Sequence, residues 1–190
     1  MSEPVSALNG LSKMGAVQVR DTGPVGMVTI RADLSSEDVA AALASSVSLS
    51  LPEVGQVSRT ADVTCLWMSP DEIMLVMAYD AVGKTVSDLN RVLDGHHSMV
   101  VDVSDARTCL TLSGAASALR DTLAKLTPAD VRENTLGVGT LRRTRLAQVP
   151  AAFWFQDNTT VQLICFRSVS EYVFGILSNA AKSGAEPNFF

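Results

Sequence analysis

A repeated order of elements is what most narrows the folds open to this chain. Ser69-Pro70-Asp71-Glu72 separates two apolar runs, 63–68 and 73–78, and its local hydrogen bonding and fixed φ predict a β-hairpin. Gln156-Asp157-Asn158-Thr159 does the same between 151–155 and 161–166, with Gln156 lying 87 positions after Ser69. A helix follows each hairpin. Asp80 is placed to cap the first, with Val82, Val86, Leu89 and Leu93 on one stripe. Ser168-Val169-Ser170-Glu171 reads as a capping box for the second, with Tyr172, Val173, Ile176, Leu177 and Ala180 inward. The caps stand 88 positions apart. Identity between the halves is negligible, so the repeat rests on order and spacing.

The remaining elements fit the same plan. Residues 25–30 read as a strand, and Ser35-Ser36-Glu37-Asp38 opens a helix with Val39, Leu43 and Val47 on one face, closed by Leu51-Pro52. Gly95 is expected as a left-handed residue after the next helix. In the second half, 108–112 is a strand and Ser113-Gly114 opens a helix with Leu119, Leu123 and Leu126 inward. Thr127-Pro128 starts a further short turn. Residues 140–149 and 151–155 are strands broken at Pro150, and Gly184 ends the last helix. The expected fold is α+β: two similar strand-helix-hairpin-helix halves, with helices on one face of an antiparallel-rich sheet. The expected boundaries are an N-terminal tail 1–24, halves 25–95 and 96–184, and a C-terminal tail 185–190. The first of these is Ser/Gly-punctuated and weakly periodic, like a segment that a partner must tie down.

Composition limits the function classes. Hydrophobic residues make up 47% of the 190 and charged residues 18%, an apolar excess for a chain standing alone. The longest apolar run, 73–78, has strand length, far short of the ~20 residues that span a bilayer. The excess therefore predicts surface hidden against partner chains. A net charge of −5 argues against nucleic-acid binding, which needs a basic face. The N-terminus shows no basic-then-apolar leader, so a cytoplasmic location is expected. Cys65, Cys109 and Cys165 are odd in number, far apart and set in apolar runs. They read as buried reduced thiols, with no metal-ligand spacing among them.

Candidate chemistry is sparse. His96-His97 point differently in any regular backbone and lack a third ligand, so a turn cap or a partner contact is expected. Asp102, Ser104 and Asp105 have no histidine placed to activate the hydroxyl; Ser104 and Asp105 read as satisfying backbone donors where a strand turns. Gly137-Val138-Gly139 lacks the third glycine and the distal acid of a dinucleotide fingerprint and predicts a tight lead into the next strand. Arg142, Arg143 and Arg145 are the one basic cluster. On a strand, Arg143 and Arg145 share a face, either solvated or clamped on an acidic neighbour. Trp67, Trp154, Phe153 and Phe155 lie in hairpin strands and read as core or interface packing.

The stretch 95–114 carries a resemblance. Val100-Val101-Asp102-Val103-Ser104-Asp105, followed by a strand and Ser113-Gly114, resembles the Asp-Val-Ser segment of the folate-dependent aminomethyltransferases of glycine cleavage. With His96-His97-Ser98 before it and Thr144-Arg145-Leu146 behind, it is more narrowly similar to the gamma subunits of heterotetrameric sarcosine oxidases. The resemblance covers roughly residues 67–184. It implies membership of an assembly that oxidatively demethylates sarcosine with O2 to glycine and hydrogen peroxide. The one-carbon unit then leaves as formaldehyde or passes to tetrahydrofolate as 5,10-methylenetetrahydrofolate.

The same resemblance implies alpha, beta and delta subunits as partners, alpha foremost. It places FAD, FMN and NAD in alpha and beta and zinc in delta, and none of them in this chain. The aminomethyltransferases carry an assisting aspartate in the second half, where this chain runs Thr144-Arg145-Leu146-Ala147-Gln148-Val149 without a carboxylate. No catalytic, cofactor-binding or metal-binding residue is therefore expected here, and the chain reads as a scaffold. The competing readings are a stand-alone folate-binding protein with Trp67 or Trp154 near the pterin, and a homo-oligomeric structural module.

Overall fold

The computed structural model describes residues 3–187 and 189–190. The chain forms two compact units, Val25–Asp105 and a second made of the residues before Val25 together with those from Ala106 onward. It opens with β1 (Ser12–Lys13) and β2 (Val17–Asp21), which belong to the second unit. The first unit then follows as β3 (Gly26–Arg31), α1 (Glu37–Val47), β4 (Val57–Arg59), β5 (Thr64–Ser69), β6 (Glu72–Met77), α2 (Val82–Val92) and β7 (Met99–Asp102). Its strands pair antiparallel in the order β4-β5-β6-β3-β7. Val28, Ile30, Ile73, Leu75 and Val100 face α1 and α2, meeting Val39, Leu43 and Leu89 in one core.

The second unit resumes with β8 (Arg107–Gly114), α3 (Ala116–Ala124), β9 (Leu141–Leu146), β10 (Val149–Asp157), β11 (Thr160–Phe166) and α4 (Ser170–Ala180). Its antiparallel order is β1-β2-β8-β11-β10-β9. Leu110, Leu112, Phe153, Phe155, Val161 and Leu163 pack with Leu119, Leu123, Val173 and Leu177 of the helices. Leaving β1 aside, the two sheets have one strand order, with β2, β8, β11, β10 and β9 in the places of β7, β3, β6, β5 and β4.

The hairpin-helix module repeats residue for residue. The β5–β6 ladder shifts register between Trp67 and Ser69, and the β10–β11 ladder between Phe155 and Asp157, 88 positions later. A 3₁₀ turn spans Tyr79–Ala81 and another Arg167–Val169, and α2 and α4 follow at the same offset of 88. These turns replace the caps expected at Asp80 and Ser168, neither of which caps a helix through its side chain. The turn carbonyls take over that role: Val82 N–H donates to Tyr79 O and Ser170 N–H to Arg167 O, so the first amides already have acceptors. At α1 the expected cap forms, with Ser36 accepting from Asp38 N–H.

Several expected boundaries move. The N-terminal tail contributes two strands to a sheet, and Val17, Val19 and Asp21 alternate inward on β2; Met1 and Ser2 of that tail lie outside the described residues. The division between units falls after Asp105 rather than Gly95, since β7 pairs with β3. The expected strand 140–149 ends at Leu146, and a two-residue turn with Ala147 at φ 51° reverses the chain before Val149. Pro150 lies inside β10, just beyond the β10–β11 ladder that begins at Ala151, so its missing N–H removes no bond there. Strand β8 also runs through Ser113 and Gly114, and α3 starts at Ala116. Of the expected C-terminal tail, Asn188 is outside the described residues, while Phe189 N–H donates to the buried Asp121 carboxylate at 3.2 Å.

Strand β3 runs close under the start of α2. A Cβ on Gly26 would stand 2.7 Å from Ala78 O and press into the Val82 side chain. Gly26→Ala is expected to lower stability by about 1–3 kcal/mol, read as a fall in the urea-unfolding midpoint.

Candidate functional site

The segment after β7 is a hydrogen-bonded clasp. As β7 ends, Val103 N–H donates to Met27 O at 2.8 Å, and the chain enters a 3₁₀ turn, Ser104–Ala106. Met27 N–H, at the start of β3, donates to Ser104 Oγ at 2.9 Å. Ser104 Oγ in turn donates to Asp102 Oδ1 at 2.5 Å, and the same carboxylate oxygen accepts Ser104 N–H at 2.9 Å. Ser104 is buried. Its hydroxyl both accepts and donates within the clasp, taking the Met27 N–H on its lone pair and giving its proton to the Asp102 carboxylate. Asp105 accepts from Tyr79 Oη at 3.1 and 3.2 Å, a side-chain donor where a backbone one was expected.

The two histidines diverge. His96 Nδ1 stands 3.8 Å from Asp38 Oδ2 in the first turn of α1, while its N–H donates to Leu93 O. His97 lines a cavity of about 380 Å³ with Arg31, Asp71, Ser98 and Met99. Arg31 there is 3.4 Å from the buried Glu72 carboxylate. Among the described residues no three His, Cys, Asp or Glu side chains gather as a metal cluster.

In the second unit, Thr144, Arg145 and Leu146 end β9 and Ala147-Gln148 turn into β10. Leu146 is fully buried, so this hairpin presents an apolar side chain inward. Arg142 turns back on its own unit, donating to Thr135 O at 2.5 Å, while Arg143 and Arg145 are exposed. Gly139, at φ 78°, donates to Phe155 O at 3.0 Å and leads tightly into β9, as its glycines predicted. Phe153, Phe155 and Trp154 are buried in β10, and Trp67 is half-buried in β5.

A group that sequence reasoning passed over is Arg120 on α3. Its Nη1 donates to Val131 O and to Leu136 O at 3.0 Å, and its guanidinium lies 4.4 Å from the Phe155 ring centre. It ties the 125–140 segment to the core. The signal available was weak: an arginine beside the leucines of an amphipathic helix.

All three cysteines are free and buried. Burial pushes the Cys65 and Cys165 thiols from 9.0 up to about 12 and Cys109 to about 11, which keeps them neutral and unreactive.

These units and their shared strand order define an aminomethyltransferase-like fold. The structure superposes on the glycine cleavage aminomethyltransferase T of Bartonella henselae with TM-score 0.60 at 14% identity, over 86% of this chain and 45% of that one. A closer match is a chain of the heterotetrameric sarcosine oxidase from Corynebacterium sp. U-96, solved with pyrrole 2-carboxylate: TM-score 0.79 and 28% identity, over 90% of this chain and 87% of the other. The sarcosine oxidase subunit gamma of Arthrobacter sp. is 37% identical over 145 residues, 75% of this chain and 69% of that protein. The profile of the sarcosine oxidase, gamma subunit family matches residues 31–183. The chain belongs to that family.

Two measurements follow from the site. Ser104→Ala leaves the Met27 N–H without its acceptor and is expected to cost about 1–3 kcal/mol in urea unfolding. The thiols set a pH dependence whose sign is fixed by their raised values. Ionisation is resisted only in the folded state, so their effect on stability is nil below about pH 9 and grows as pH rises towards 12. Unfolding free energy is expected to decline by about 1.4 kcal/mol per pH unit for each thiol in that window, and Cys65→Ala to make the decline shallower.

Proposed function

We propose that this chain is a structural, non-catalytic subunit of a heterotetrameric sarcosine oxidase. In this reading the assembly converts sarcosine, O2 and water to glycine, formaldehyde and hydrogen peroxide, or hands the one-carbon unit to tetrahydrofolate. FAD, FMN, NAD and zinc belong to the alpha, beta and delta subunits, and this chain braces the aminomethyltransferase-like part of alpha.

One observation carries the proposal. The residues with the strongest look of chemistry, Asp102, Ser104 and Asp105, spend their hydrogen-bonding capacity inside the chain. The β9–β10 hairpin, where the resemblance to the transferases calls for a carboxylate, offers Leu146 and a turn instead. A cytoplasmic setting is part of the same proposal; free buried thiols suit a reducing compartment, and among the described residues no helix is long and apolar enough to cross a membrane.

The test is co-expression of the partner chains with and without this one. Purified alone, the chain is expected to carry no flavin, to turn over no sarcosine and to show no tryptophan quenching by tetrahydrofolate. The other subunits are expected to assemble poorly in its absence. Turnover or folate binding by the lone chain, or full assembly without it, overturns the proposal.

A further inference from the structure

Strand β7 is the outer strand of its sheet, paired with β3 on one side and packed against α2. Two bonds reveal which way its backbone groups point. Val103 N–H donates to Met27 O at 2.8 Å, and on the far side of β3 Ala32 N–H donates to Asp71 O at 3.1 Å. In an antiparallel ladder, hydrogen-bonded and non-bonded pairs alternate. With the Met27–Val103 pair bonded, the Thr29–Val101 and Arg31–Met99 pairs are bonded too. Val100 and Asp102 therefore turn their N–H and C=O groups outward, away from β3. Beside this row, Met99 and Val101 are 46% and 39% exposed, on the face opposite Val100, whose side chain joins the helix-side core.

The second unit displays what covers such an edge. There β2 holds the place of β7, and its outer side is occupied by residues 11–13. Ser12 pairs with Arg20 and Lys13 with Val19, while Asp21 N–H donates to Leu11 O at 2.9 Å. No described segment pairs with the outer side of β7. That side carries no lysine, proline or bulge of the kind that protects a bare edge; it reads Met99-Val100-Val101-Asp102, with its one charged side chain turned back to Ser104.

We infer that an extended segment of another subunit of the oxidase adds to β7 as a further strand, in the position β1 holds against β2. Its main chain bonds to Val100 and Asp102, and its apolar side chains cover Met99 and Val101. The inference rests on the hetero-oligomeric reading above. A second copy of this chain fits less well, because β7 spans four residues and pairing it with itself buries far less than the ~1,200 Å² of a stable interface. A subunit already held elsewhere needs no such area, since attachment raises the effective concentration of its strand.

Amide hydrogen exchange resolved to single residues tests this on the lone chain and on the assembled oxidase. The Val100 and Asp102 amides are expected to exchange freely in the lone chain and about tenfold or more slowly in the assembly. Val101 and Val103, bonded to β3, stay protected in both. A double variant, Met99→Lys with Val101→Lys, is expected to keep the thermal midpoint of the lone chain and to co-purify at least tenfold less well with the other subunits. Val100 and Asp102 amides that exchange as fast in the assembly as alone overturn the inference, and so does wild-type assembly of the double variant. Protection of Val100 in a self-associated lone chain also overturns it, in favour of a second copy. Failure of the wild-type chain to bind any subunit is a different result, and it defeats the hetero-oligomeric reading itself.

Discussion

The hydrogen bonds that Met27 makes with Val103 and Ser104 bring together the two ends of the Val25–Asp105 unit. The pairing of β2 with β8 is eased by that closure. Strand β2 must pair with β8, joining Val17 to Gly114 across nearly a hundred residues. Closing a flexible loop of that length costs several kcal/mol in chain entropy. With the intervening unit folded and its ends side by side, the effective loop shrinks to the short connections at 22–25 and 103–107. There Thr22 N–H meets Cys109 O at 3.0 Å, the next bond in the sequence of closures. The Asp102-Val103-Ser104 segment is thus where one unit is tied off before the chain completes the sheet of the other.

The internal repeat explains why the clasp is needed. Leaving β1 aside, each unit is a five-strand order plus two helices, and in each the partner of β3 or of its counterpart β8 at the end of that order comes from a distant part of the chain: β7 after α2 in the first, β2 ahead of the whole intervening unit in the second. A strand recruited from far away has to be held by more than ladder bonds. The second unit holds β2 with the buried Asp21 carboxylate, which accepts from Ser6 Oγ, from Gly10 N–H at 2.9 Å and from Gly23 N–H at 3.3 Å. The first unit holds β7 with Ser104 and Asp102. A charged or hydroxylic side chain fixes the end of the recruited strand in both.

Those same anchors decide what was legible in the sequence. The α+β class, the duplicated hairpin-helix order and the α1 cap could be read because apolar periodicity and turn residues are local signals. Strand β2 was missed because its third inward residue is Asp21, whose burial is justified only by partners that the sequence does not place next to it. The boundary at Asp105 was missed for a related reason: Met99 to Asp102 alternates poorly, and only pairing with β3 makes it a strand. Asp80 and Ser168 look like caps, yet the turns that precede α2 and α4 supply carbonyls by the same geometry in both halves. The site behaved likewise. That no histidine is set by a motif beside Ser104 was apparent from the residues; that its hydroxyl closes a unit was not.

A scaffold and an enzyme on one fold differ in where their polar groups are spent. An enzyme holds donors and acceptors out of internal bonds, at a cost in stability, so that a substrate can meet them. Here Ser104, Asp102, Asp21 and Arg120 are committed to internal partners. The thiols are pushed into neutrality by burial. Among the described residues, one set of groups left unspent is main chain: the outward N–H and C=O groups of β7, beside exposed Met99 and Val101. Unspent main-chain groups at a sheet edge recognise another strand rather than a small molecule, because they present a repeating ladder instead of a converging pocket. The distribution of satisfied and unsatisfied groups therefore points this chain's binding capacity at proteins.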